Sequence, residues 1–176
     1  MSLRDRILVL MLWLAIAGMG SWAGGTLYQM VEVVPVWNAS PPESVRTFFR
    51  DTDFGRHKVR FFGPATMLAR NLPLVVALVA AWPRRRHRGW LLLATGCFAF
   101  GLVFTIAYVY PINAVLFNQA GGDGSASEIR SMAERWVFAD RFRFVVGLVG
   151  LFAVLQAFHL PMRTSADVSD ARPSLA

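Results

Sequence analysis

A chain of 176 residues has the length of one domain, but 55% hydrophobic residues and a mean hydropathy of +0.44 are too apolar for a surface that faces only water. The formal charge of +7 does not point to nucleic acid, because the basic residues form no aromatic-interleaved patch and instead flank long apolar segments. The single cysteine, Cys97, lies inside an apolar run, which excludes an intrachain disulfide, a CxxC motif and a thiolate metal cluster.

Ile7 to Val31 carries no charge. At 1.5 Å per residue that run reaches about 37 Å, enough to cross a hydrocarbon core of about 30 Å with some tilt. Arg4 and Arg6 before an apolar run also fit a secretory signal cleaved near Ala23-Gly24, but the run is long for that role. An uncleaved first span over about 7–33 is expected. The loop from Asn38 to Gly63 opens with Ser40-Pro41-Pro42-Glu43, and Val45 to Phe49 reads as a short interfacial helix with Phe48 and Phe49 dipping into lipid.

The second span, about 61–82, is interrupted only by Arg70 and Asn71. A start after Asn71 would leave a helix of about 16 Å, too short to cross, so Arg70 is expected inside the outer part of the bilayer. Pro73 should kink this helix. The third span, about 90–110, ends at Pro111. A loop containing Gly121-Gly122-Asp123-Gly124-Ser125 follows, and Ser127 is placed to cap the helix leading into the fourth span, about 136–160, which stops before Pro161. The fold expected is all-α: a four-helix transmembrane bundle, up-down-up-down, with a short interfacial helix in the first outer loop. Residues 1–161 form one membrane domain, and 162–176 a disordered tail.

Dense arginine in the tight connector Pro83-Arg84-Arg85-Arg86-His87-Arg88-Gly89 is the strongest orientation signal. It places that loop and both termini in the cytoplasm, in a multi-pass protein of a bacterial inner membrane. The opposite loops and helix ends carry more Lys and Arg in total, together with most of the acids.

Small and polar residues share faces. Gly18, Ser21, Gly25, Tyr28 and Glu32 follow one helical stripe in the first span, and Gly20 and Gly24 form a GxxxG beside it. Cys97, Gly101, Thr105 and Tyr108 do the same in the third span, and Trp136, Asp140, Arg143, Gly147 and Gly150 in the fourth. The stripe aims Glu32 into the bundle. Because the spans alternate in direction, Glu32, Arg70, Asn71, Tyr108, Asn113, Trp136, Asp140 and Arg143 are expected to meet at the non-cytoplasmic end. An ionisable residue facing a bundle interior is a functional-site hypothesis with a named partner, here Glu32 or Asp140 with Arg70 or Arg143. The alternative is that these pairs only tie helix ends together.

His57, His87 and His159 fall in the outer loop, the cytoplasmic loop and the inner end of the fourth span, so they cannot share a metal or a haem. Glu32, His57 and Asp140 lie toward one end, but their spacing demands no metal. No Gly-rich phosphate loop follows a strand and no GxSxG element is present.

Gly24-Gly25-Thr26-Leu27-Tyr28 followed by Pro35-Val36-Trp37, then Tyr110-Pro111-Ile112-Asn113, then Trp136-x3-Asp140-x2-Arg143 give the chain its nearest likeness. It resembles the anthrone oxygenase-like membrane proteins, long classed as a domain of unknown function. The family pattern usually has histidine where this chain has Asp140. The resemblance implies a small four-helix membrane protein that oxidises anthrones to anthraquinones with molecular oxygen and no cofactor. Such chemistry needs a base and a group that stabilises an enolate oxygen. On this reading Glu32 or Asp140 is the base, Arg143 and Asn113 bind the enolate, Tyr28, Tyr108 and Trp136 wall a flat aromatic substrate, and Arg70 and Asn71 complete the binding surface.

Two readings stay open at this stage: a membrane-bound monooxygenase-like oxidoreductase, and a non-enzymatic accessory protein that binds a small amphipathic ligand. The partners expected are the lipid bilayer, an aromatic or amphipathic small molecule, and a second copy or a partner membrane subunit. No metal and no nucleic acid is expected. A transporter is disfavoured, because four spans show no inverted repeat.

Overall fold

The computed structural model describes residues 2–52, 60–117 and 124–161, and those residues hold helices and connecting turns without a strand. Four helical stretches are long and apolar enough to cross a membrane: Leu3–Trp37, Arg60–Ala80, Arg85–Leu116 and Ala126–His159. The expected all-α, four-span architecture is therefore the observed one. The tail 162–176, the Gly121–Asp123 turn and His57 lie outside the described residues.

The first stretch is α1 (Leu3–Tyr28), a π-helical turn (Gln29–Val33) and α2 (Val34–Trp37). Helix α3 (Glu43–Asp51) fills the expected interfacial position, and α4 (Pro64–Ala80) is the second span. The third comprises α5 (Arg85–Phe104), a second π turn (Thr105–Val109) and α6 (Tyr110–Leu116). Helix α7 (Ala126–His159) is the fourth. Ser2 opens α1 with a reciprocal capping box: its hydroxyl accepts from the Asp5 N–H at 3.2 Å while its own N–H donates to the Asp5 carboxylate at 3.1 Å.

Sequence reading ended the third span at Pro111, but the helix continues through it to Leu116. The physical reason is the π turn just before it. Proline lacks an N–H and its ring collides with the carbonyl four residues back, and a widened turn removes both conflicts without ending the helix. The first span solves the same problem in the same way: Gln29–Val33 widens just ahead of Pro35. Helix α4 runs through Pro73 as well.

These continuations make three spanning stretches of 32 to 35 residues and one of 21. At 1.5 Å per residue the long ones reach about 50 Å and the short one about 32 Å, against a hydrocarbon core of about 30 Å. The surplus gathers at the end away from the arginine loop, where it builds a separate cap. Val34, Trp37, Val45, Val109, Ile112, Leu116, Ile129, Ala133, Trp136 and Ala139 form its core. The bundle has its own core nearer the arginine loop, built largely from small residues that let backbones approach: Ala15, Ala77, Ala81, Ala94, Ala153 and Ala157 among Leu8, Leu12, Leu74 and Leu91.

Phe48 and Phe49, expected to dip into lipid, are partly buried against the cap instead, with the Phe49 ring 4.4 Å from that of Phe117 and 6.2 Å from that of Trp37. Burial against an aromatic cluster wins here because the protruding helix ends offer one. The α7 cap is Ser125, whose hydroxyl accepts from the Glu128 N–H at 3.3 Å, not Ser127. At the other end, Asp5 is ion-paired with Arg84, and Arg4 donates to the Ala80 and Val79 carbonyls at 2.7 and 3.1 Å. These bonds tie the start of α1 to the end of α4 and use carbonyls that a helix terminus leaves open.

Candidate functional site

Between the two cores lies a partly open cavity of about 140 Å³, walled by all four spans. At about 30 Å³ per water that is room for roughly five waters, the size of an enclosed cavity that holds one aromatic ring, and a larger ring system would extend through its open side. The lining is mainly apolar. Helix α1 contributes Met19 and Trp22, the second span Phe62 and Met67, α5 Cys97, Phe98 and Leu102, and α7 Val146. Its polar members are Arg70, Asn71, Thr105 and Arg143.

Glycines on the neighbouring helices set the shape of this space. A Cβ on Gly18 would lie 2.9 Å from the Arg70 carbonyl oxygen, so the absence of a side chain there lets the α4 backbone close on α1 beside the cavity. Gly147 does the same for the Trp22 ring, whose nearest atom would be 2.1 Å from an added Cβ. By contrast, an added Cβ on Gly20 or Gly24 meets nothing within 4 Å, so the GxxxG stripe packs against no neighbour among the described residues.

Arg143 is held from two directions. Its Nη2 donates to Asp140 Oδ1 at 2.5 Å, and its Nη1 to Thr105 Oγ1 at 3.3 Å. The Thr105 hydroxyl donates in turn to the Gly101 carbonyl at 2.7 Å, which leaves its lone pairs toward the guanidinium. The Asp140 side chain is only 4% exposed and that of Arg143 19%, so the ion pair is buried at the cavity wall. Pairing in such surroundings is what makes the two charges tolerable, and it leaves the buried Arg143 Nε with no acceptor among the described residues.

Arg70 has no such partner among the described residues. Its Nε and Nη1 are buried and bonded to nothing among the described residues, and its guanidinium carbon stands 5.4 Å from the centre of the Phe61 ring. A cation over a ring face recovers a fraction of what an arginine loses on entering a membrane, on the order of 1 kcal/mol against about 3. Beside it, Asn71 turns its amide back to the Met67 carbonyl at 2.7 Å.

Of the residues expected to converge, Arg70, Asn71 and Arg143 line the cavity, and Asp140 joins it through Arg143. Trp136 and Asn113 are brought together, but in the cap: the indole Nε1 donates to Asn113 Oδ1 at 2.8 Å, and Trp136 packs edge-on to Trp37 at 5.3 Å. Glu32 and Tyr28 turn outward, Tyr28 being 64% exposed. Tyr108 is 37% exposed and stacks on Phe104 at 5.1 Å.

The outward turn of Tyr28 is set within α1, and that of Tyr108 within the second π turn. The buried stripe of α1 runs through Met19, Ala23 and Thr26, one residue later than the glycine stripe, and then passes through the π turn to Gln29, Val34 and Trp37. In the third span Val109 takes the buried place extrapolated for Tyr108. An α-helical spacing cannot be carried across a turn that holds an additional residue.

The lining residues Trp22, Phe62 and Phe98 carried no sequence signal of their own. Cys97, Gly101, Thr105 and Gly147 did carry one, as small or weakly polar positions on the stripes leading down from Arg143. Among the described residues no three His, Cys, Asp or Glu side chains gather as a metal site. In the outer loop, the Arg50 guanidinium 2.8 Å from Asp51 holds that carboxyl below the usual carboxylate range, but both side chains are well exposed and the pair contributes little.

Residues 57–153, more than half of the chain, match the family model described as Anthrone oxygenase. The matched stretch contains Arg70, Asn71, Asn113, Asp140 and Arg143 and leaves out α1. No curated protein and no solved structure matches the chain.

Proposed function

The chain belongs to the anthrone oxygenase family and is a membrane protein of that family, and from that premise we propose that the cavity between its four spans oxidises a flat, enolisable aromatic substrate with dioxygen. The observation that carries this reading is Arg143: a largely buried guanidinium on the wall of an apolar cavity, fixed by Asp140 and Thr105, with its Nε–H lacking an acceptor among the described residues. A donor held in place before the reaction stabilises a developing oxyanion most effectively where water is scarce.

The substrate carbonyl accepts from Arg143, and a proton from the ring CH2 conjugated with that carbonyl passes through a water in the cavity to Asp140, whose carboxylate stands behind Arg143 rather than on the wall. The enolate passes one electron to dioxygen, and the resulting carbon radical and superoxide combine into a peroxide anion, which recovers the proton. Loss of the second C–H proton and of hydroxide then leaves a new C=O and water. One CH2 and one O2 become one C=O and one H2O: the carbon loses four electrons, and the two oxygen atoms gain them. The substrate reaches the cavity from the bilayer, and the arginine loop faces the cytoplasm.

Oxygen uptake with anthrone, measured on the full chain in proteoliposomes, tests the reading. Arg143→Met should lower the rate by at least about tenfold while far-ultraviolet circular dichroism stays unchanged. An unchanged rate in the folded variant overturns it. One observation favours the non-enzymatic alternative: among the described residues, no carboxylate or imidazole lines the cavity directly. On that reading an amphipathic molecule is held without conversion, and binding would be seen without oxygen uptake.

A further inference from the structure

Two guanidinium groups border the cavity from separate helices, and among the described residues it is Arg143 that is ion-paired, with Asp140. Arg70 Nε and Nη1 are buried with no acceptor among the described residues, and its one described neighbour of electrostatic weight is the face of Phe61. Asn71 adds no compensating charge and directs its amide to the Met67 carbonyl. A half-buried cation with unanswered N–H groups is retained where something negative comes to it.

We propose that the ligand itself brings the missing charge: the cavity takes an amphipathic aromatic anion, whose anionic oxygen, carboxylate or phenolate, pairs with Arg70 while its fused rings lie among Trp22, Phe62 and Phe98. The inference rests on the reading of the cavity as the substrate site and adds the chemical class of the substrate. Arg143 then serves the carbonyl that enolises and Arg70 a second, permanently charged group. With one cation on α4 and the other on α7, the two interactions fix the rings in one orientation, as two separated contacts do for any rigid ligand. A charge-assisted hydrogen bond in an apolar surround is stronger than its neutral counterpart, so the anion is chosen over its neutral analogue.

The test uses the purified full chain in detergent with 2-naphthoate and its methyl ester, binding being followed by naphthalene fluorescence. Cys97, the single cysteine, lies on the cavity wall, so protection of its thiol from N-ethylmaleimide reports whether the probe sits there. Expected is a preference for the acid of at least about tenfold, with slowed alkylation of Cys97, and loss of that preference in Arg70→Met but not in Arg70→Lys. A further arm takes 2-naphthol through its own ionisation: tightening as it ionises shows that phenolate serves as carboxylate does. Equal binding of anion and neutral form for both probes overturns the proposal. So does a preference that survives Arg70→Met, or tight anion binding that leaves Cys97 unprotected. Should Arg70→Met fail to fold, the comparison on the unaltered protein still decides. The two readings fail separately: anion preference without oxygen uptake for any substrate sinks the oxidation, whereas uptake with no anion preference sinks only the role given to Arg70.

Discussion

The ring of Trp22 on α1 occupies the place where a side chain on Gly147 of α7 would begin, 2.1 Å from an added Cβ to the nearest ring carbon. Both residues line the cavity, so the fit that joins the two helices also shapes one of its walls. Gly147→Ala should push the indole toward the open space, destabilise the protein by about 1–3 kcal/mol and weaken 2-naphthoate binding. Adding Trp22→Leu to it should restore most of the lost stability. Thermal unfolding of the two single variants and the double variant, arranged as a cycle, gives the coupling.

The four spans were legible from length and charge alone, because an apolar run of the right length has few other fates. Asp140 and Arg143 were legible because α7 stays α-helical throughout, so their spacing predicted their shared face. Tyr28, and Glu32 after it, were misplaced because the glycine stripe of α1 runs beside its buried face rather than along it, whereas Tyr108 lies in a π turn, which a hydrophobic pattern does not announce. Trp136 and Asn113 looked like site residues because they stand at the right end of the bundle. What could not be read was that three of the helices run on for more residues than a crossing requires and pack a second core at one end.

The Asp140–Arg143 pair gives a graded prediction. Asp140→Ala strands a buried guanidinium and should cost about 3–5 kcal/mol, whereas Asp140→Asn keeps an acceptor for Arg143 and should cost less. Anthrone-dependent oxygen uptake should fall in both, since neither side chain takes a proton as a carboxylate does. Unfolding in detergent and an oxygen electrode read the two effects independently.

Asn113 separates cap from cavity. Asn113→Ala removes the acceptor of the Trp136 indole and should lower stability by about 1–3 kcal/mol. Because neither residue lines the cavity, binding of 2-naphthoate and protection of Cys97 should be unchanged in the folded variant. A weakened ligand affinity at full stability would instead place the cap within the site.

Glu32 faces outward, so Glu32→Gln should shift stability by no more than about 0.5 kcal/mol and leave oxygen uptake at the level of the unaltered protein. A loss of uptake comparable to that of Asp140→Asn would move the base to Glu32.

For orientation, a fluorescent protein that matures only in the cytoplasm, fused after residue 176, should glow, and alkaline phosphatase fused at the same point should be inactive. The opposite pattern would invert the bundle.

The two π turns set the phase between membrane and cap. Each lies beyond the cavity on its own span, at Gln29–Val33 and Thr105–Val109, with Thr105 alone shared between the turn and the lining. Excising one residue from either would turn the helix beyond it by about 100° and carry Trp37 or Ile112 out of the cap, while Trp22, Cys97 and Gly101 keep their places. The chain is therefore divided along its length into a portion that tolerates no change of count and a portion that a single insertion or deletion can re-aim.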